Sequence, residues 1–175
     1  MIALVPNVLT TLRLIAIVPF VILLGRAGDG QSVAAAVIFA LASATDFLDG
    51  YIARRAGVQS RFGRIADPLA DRLLIDLCVI LLAYQTRLAW WLALPLLLRD
   101  AYLAIAFERR HMATQVRVNF YGKLATAMIM VALLAMMLTP RLWADVLYAA
   151  GLAISLAAAV SYAIRSGEGL TSKPS

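Results

Sequence analysis

The stretch SVAAAVIFALASATDFLDGYIARR, residues 32–55, is a run of apolar and small residues that closes on charge. As a helix rising about 1.5 Å per residue it is long enough to cross the roughly 30 Å hydrocarbon core of a bilayer. Yet it contains Asp46 and Asp49, three residues apart, ahead of Arg54 and Arg55. A charged side chain inside a membrane helix costs about 2.5–3.5 kcal/mol at the centre and less near the interface. Two carboxylates at the end of such a run need a function.

The rest of the chain repeats the apolar theme. Of 175 residues, 63% are hydrophobic and 15% charged, and the mean hydropathy is +0.85. A soluble domain carries roughly 25% charge. Six blocks of spanning length are expected, at about 8–25, 32–54, 63–85, 88–107, 119–138 and 143–164. The fold class is therefore all-α integral membrane with six transmembrane helices in a single domain, residues 1–175. Pro19 makes a tilt or kink in the first span an expectation. GRAGDGQ (25–31) and TPR (139–141) read as turns. No small-residue cleavage site follows the first apolar block, so it is expected to remain as a helix rather than a signal peptide.

Basic residues orient the bundle. With both termini cytoplasmic, the inner side holds twelve Lys and Arg, among them Arg13, Arg54, Arg55, Arg109, Arg110, Arg117 and Lys123, while the outer side holds Arg26, Arg87 and Arg141. That bias is the positive-inside pattern. The pI of about 10 and net charge of +6 thus reflect topology and anionic headgroups rather than nucleic acid. Cys78, the sole cysteine, excludes an internal disulfide and is expected to pack in the core. Trp90, Trp91 and Trp143 fall near outer span ends, where an interfacial belt would place them.

The next span begins with RIADPLADRLL, bringing Asp67 and Asp71 into its first turns. Spacings of three (Asp46, Asp49) and four (Asp67, Asp71) put each pair on one helix face. A short connection makes the two helices antiparallel neighbours, so four carboxylates meet at one depth. Anions crowded this way repel unless cations neutralise them. An oxygen-only donor set favours Mg²⁺ or Mn²⁺. Divalent ions near the inner-leaflet phosphates suggest phosphoryl chemistry on a lipid. The rival reading, an ion or proton transporter, expects carboxylates near the midplane and repeated halves, and neither is visible.

Asp46-x-x-Asp49-Gly50-x-x-Ala53-Arg54, eight residues, then Gly63-x-x-x-Asp67-x-x-x-Asp71 resembles the signature of the CDP-alcohol phosphatidyltransferase family. PNVLTTLRL with Pro19, DPLAD (67–71), Arg99–Asp100 and GKLAT (122–126) resemble its phosphatidylglycerophosphate synthase and cardiolipin synthase branch. Ala125 stands where glycerophosphate synthases often carry lysine. The resemblance implies transfer of a phosphatidyl group from CDP-diacylglycerol to an alcohol with release of CMP, in phospholipid biosynthesis. The acceptor it implies is glycerol 3-phosphate; the alternative is phosphatidylglycerol, as in cardiolipin synthase.

By the same resemblance, Asp46, Asp49, Asp67 and Asp71 hold two divalent ions, and Asp71 is the candidate general base. Gly50, Ala53 and Arg54 are implied in binding CDP-diacylglycerol, although Gly50 and Ala53 also suit close helix packing. Arg99, Arg117 and Lys123 are candidate acceptor ligands. Arg99 is read either as a cavity residue or as a member of an ion pair; adjacent Asp100 points about 100° away around the helix, so pairing is not automatic. A homodimer in the bacterial inner membrane, with its active site facing the cytoplasm, completes what the resemblance implies.

Overall fold

The computed structural model describes residues 4–56, 63–109, 120–139 and 142–171, with side chains described for 11–45, 72–103, 105, 122–139 and 142–161. Six helices occupy them: α1 (Leu4–Arg26), α2 (Val33–Ala56), α3 (Gly63–Tyr84), α4 (Trp90–Arg109), α5 (Phe120–Leu138) and α6 (Leu142–Thr171). No strand occurs among the described residues. Each expected block is a helix, with α1 starting earlier and α6 ending later than expected. Pro19 does not end α1, which runs helical on both sides of it. One stretch, Leu142–Ser161, is by itself long and apolar enough to cross a membrane among the described residues; Val33–Thr45 and Gly122–Leu138 are shorter apolar helices. Asp46, Asp49, Arg54 and Arg55 interrupt the apolar run of α2 in its second half.

The helices group into two units, Met1–Leu88 with Leu133–Pro140, and Ala89–Ala132 with Arg141–Ser175. In the first, α1 packs on α2 and α3, and α2 touches α3. Phe20 and Leu24 of α1, Ala35, Ala36 and Phe39 of α2, and Leu74, Cys78 and Leu82 of α3 are buried. Small Ala35 and Ala36 let backbones approach, while the Phe20 and Phe39 rings meet at 5.9 Å between centroids. Cys78 is free and buried.

Side chains and backbone close the helix ends. The α1–α2 loop turns through Gly28 (φ 67°) and Gly30 (φ 75°). There the Asp29 carboxylate accepts from the Gln31 backbone N–H at 3.0 Å. Ser32 then caps α2: its Oγ accepts from Ala35 N–H at 3.2 Å, the N-cap pattern worth about 0.5–2 kcal/mol. The Ser32 N–H donates to the Met137 carbonyl at 2.9 Å, tying the end of α5 to the start of α2.

α3 ends with Thr86 at φ 58°. Arg87 N–H donates to Leu82 O at 2.9 Å and Thr86 N–H to Ala83 O at 3.1 Å. This is the Schellman pattern, with threonine where glycine is usual. Gln85 Nε2 reaches back to the Leu24 carbonyl at 2.6 Å, closing the end of α1.

In the second unit α4 lies on α6, and the Tyr148 hydroxyl donates to Leu92 O at 3.4 Å. Gly151 of α6 is a close approach to α5: a Cβ there would stand 3.0 Å from Ile129 Cγ1 and 3.2 Å from the Ala125 carbonyl oxygen. Trp90, Trp91 and Trp143 are exposed.

Candidate functional site

The aspartates lie toward the ends of two helices that follow one another in the chain. Asp46 and Asp49 ride the last three turns of α2, and Asp67 and Asp71 the first turns of α3. Only residues 57–62 separate the two helices, which touch within one unit. At 1.5 Å per residue, Asp49 and Asp46 lie about 10 and 15 Å back from the end of α2. Asp67 and Asp71 lie about 6 and 12 Å in from the start of α3. The carboxylates themselves, and the side chains at Gly50, Ala53 and Arg54, fall outside the described side chains. On the α2 backbone, Asp46, Gly50 and Ala53 follow one another at helical spacing along a single stripe.

A donor set made only of carboxylates suits a hard divalent cation. Among the described residues no group of three or more His, Cys, Asp or Glu comes together; the side chains of Asp46, Asp49, Asp67 and Asp71 lie outside that description.

The acceptor candidates meet different fates. Arg99 is half-buried, and its Nη1 pairs with Asp100 Oδ1 at 3.1 Å, with Asp100 only 6% exposed. Sequential neighbours thus pair despite their divergent directions on the ideal helix, because the long arginine stem can fold back. Arg99 also lines a groove of about 360 Å³ between α4 and α6, otherwise formed by Pro95, Leu98, Tyr102, Leu156, Ala159 and Val160. Arg99 is thus a member of an ion pair and borders this apolar groove. Lys123 is exposed on the first turn of α5. Arg117 lies outside the described residues, as do Arg110 and His111.

Two positions carry more than the sequence disclosed. Arg13, counted among the inner-side charges, is 3% exposed and buried within the helices. Ala125 is fully buried beside the Gly151 approach. A long cation at position 125 would have to displace that packing. No local signal announces either burial, since both are set by which helix packs opposite.

Comparison with known proteins agrees with the motif. Residues 3–162 match the family profile described as CDP-alcohol phosphatidyltransferase. The chain is 34% identical over 164 residues to the CDP-diacylglycerol–glycerol-3-phosphate 3-phosphatidyltransferase of Escherichia coli (strain K12), covering 89% of this chain and 87% of that protein. Proteins of the same description from Shigella sonnei (strain Ss046) and Shigella flexneri serotype 5b (strain 8401) show the same identity and coverage.

Proposed function

The chain belongs to the CDP-alcohol phosphatidyltransferase family, and from that premise we propose that it transfers the phosphatidyl group of CDP-diacylglycerol to glycerol 3-phosphate, forming phosphatidylglycerophosphate and CMP. The observation that carries this reading is the eight-position motif divided between the adjoining ends of α2 and α3. Relatives bearing that activity in their names, matched over most of both chains, support the choice of acceptor.

Each residue has a task in this reading. Asp46, Asp49 and Asp67 hold one Mg²⁺ or Mn²⁺ ion and Asp46, Asp67 and Asp71 a second, whose charge offsets that of the diphosphate. Gly50 and Ala53 leave room on α2 for the nucleotide, and Arg54 steadies the diphosphate. Asp71 accepts the proton of the sn-1 hydroxyl as its oxygen bonds to the β-phosphorus. The bond from that phosphorus to the bridging oxygen breaks, and CMP leaves with the electron pair. Lys123 and Arg117 are the phosphate ligands of the acceptor, with the charge of Arg99 partly offset by Asp100.

The enzyme acts as one domain in the bacterial inner membrane, as a homodimer, with six spans, cytoplasmic termini and a site open to the cytoplasm. The exposed apolar side chains along its helices support this, among them Ile15 and Val18 of α1, Leu41 of α2 and Leu98 of α4. In water so much exposed hydrocarbon would drive association; in a bilayer it is the lipid face. The Arg and Lys bias sets the orientation.

The test is CMP release by purified protein from CDP-diacylglycerol with Mg²⁺ and one acceptor at a time. Glycerol 3-phosphate supports release, and EDTA abolishes it until Mg²⁺ or Mn²⁺ is restored. Release with phosphatidylglycerol alone would transfer the assignment to cardiolipin synthesis.

A further inference from the structure

Hydroxyls inside an apolar helix usually turn back onto the carbonyl three or four residues earlier. Thr45 does so, donating to Leu41 O at 2.9 Å and Ala42 O at 2.8 Å. Thr126 donates to Gly122 O at 3.0 Å, and Ser161 to Ala158 O at 2.8 Å. Two mid-helix serines depart from this habit. The Oγ atoms of Ser43 and Ser155 are buried and have no hydrogen-bond partner among the described residues. An unsatisfied buried hydroxyl is costly, so its place in the fold asks what it serves. Ser155 lies in the unit without the aspartates, and nothing sets a substrate beside it.

Ser43 is different. It sits on α2 one turn before Asp46, in the same unit as the four aspartates. At helical spacing it shares a stripe with Asp46 and Gly50, and it lies about 4.5 Å further from the Arg54 end than Asp46. The residue is only partly buried. Its Oγ is enclosed, and its single χ1 bond lets the hydroxyl rotate among staggered wells toward an acceptor brought beside it.

A donor lipid has a fixed order of groups. With its diphosphate at the aspartates, the next polar atoms toward the hydrocarbon are the ester carbonyls joining glycerol to the acyl chains. These are acceptors with no donor of their own, and a hydroxyl one turn deeper is the complementary group. We infer that Ser43 is a specificity-determining residue that donates its hydroxyl to an ester carbonyl of the donor lipid. This rests on the donor reading above and extends it from the nucleotide end of the substrate to its glycerol end.

The experiment compares two donors, the diester CDP-diacylglycerol and the diether CDP-dialkylglycerol, which lacks the carbonyls. CMP release is measured with glycerol 3-phosphate and Mg²⁺ for the wild type, Ser43→Ala, Ser43→Thr and, as control, Ser155→Ala. The wild type favours the diester about 3- to 10-fold in kcat/KM, the range of one neutral hydrogen bond. Ser43→Ala raises KM for the diester by that factor, leaves the diether unchanged and brings the ratio near one. Ser43→Thr restores the preference, and Ser155→Ala keeps it. A Ser43→Ala enzyme with an unchanged ratio, or with both donors impaired alike, overturns the inference. No CMP release by the wild type from either donor overturns the donor reading itself, and this inference with it.

Discussion

Gly30→Ala tests the α1–α2 turn most directly. Gly30 has φ 75°, and a Cβ there would run into Arg87 Cγ and stand 3.2 Å from Leu82 Cδ2. Arg87 cannot simply swing aside, since its Nε is already buried. The left-handed backbone costs about 1–2 kcal/mol for a residue with a Cβ. Roughly 0.4–1 kcal/mol of that is offset by the stiffer unfolded chain, and overpacking adds about 1–3 kcal/mol. The net loss is about 2–3 kcal/mol, or roughly 4–12 °C in Tm for a chain of this length. Cys78 is a built-in reporter: it is the only cysteine, is fully buried and lies in the same unit as the loop. Its labelling by a thiol-reactive dye during heating in detergent follows unfolding.

Gly28→Ala is the internal control. Gly28 shares the backbone strain at φ 67° but has nothing within 4 Å of a Cβ, so it should lose only about 0.5–1 kcal/mol. Equal Tm losses for the two variants would refute the role of Arg87. So would a Gly30→Ala/Arg87→Ala protein that recovers none of the difference.

Three further outcomes are expected. Thr86→Gly should raise Tm by about 1–4 °C in the same assay, because glycine removes the roughly 1–2 kcal/mol left-handed cost while returning some chain entropy. Gln85→Leu should lower stability by about 1–3 kcal/mol by leaving the Leu24 carbonyl without its 2.6 Å donor. Asp71→Asn should slow CMP release by about 10²- to 10⁴-fold, the usual contribution of a general base, while titration calorimetry still detects donor binding. Near-normal release with metal bound would remove Asp71 from the base role.

Much of the architecture was readable from local pattern. An apolar block of twenty residues between charged or turn-rich segments has few alternatives to a helix, so the six elements follow from composition and spacing. The aspartate pairs were readable for a related reason: on a helix, intervals of three and four become one face whatever the neighbours do. The limits appear where side-chain fate depends on distant partners. The helical wheel separates Arg99 from Asp100 by a wide angle, yet burial of the carboxylate makes the long guanidinium its partner. The charge at Arg13 fits a topology count, yet the helices enclose it.

By itself, then, the sequence determined six helices, their polarity bias and a carboxylate motif split across one short connection, because these depend on periodicity and on neighbours a few residues away. Tertiary structure decided what the linear pattern could not express. It left Thr86 in a left-handed cap because the end of α3 must turn there. It buried Ala125 beside the close approach of α6 at Gly151. And it left the Ser43 hydroxyl, one turn from an aspartate, without a hydrogen-bond partner among the described residues. Each outcome depends on which surface lies opposite, and that surface comes from residues far away in the chain or from the lipid it binds.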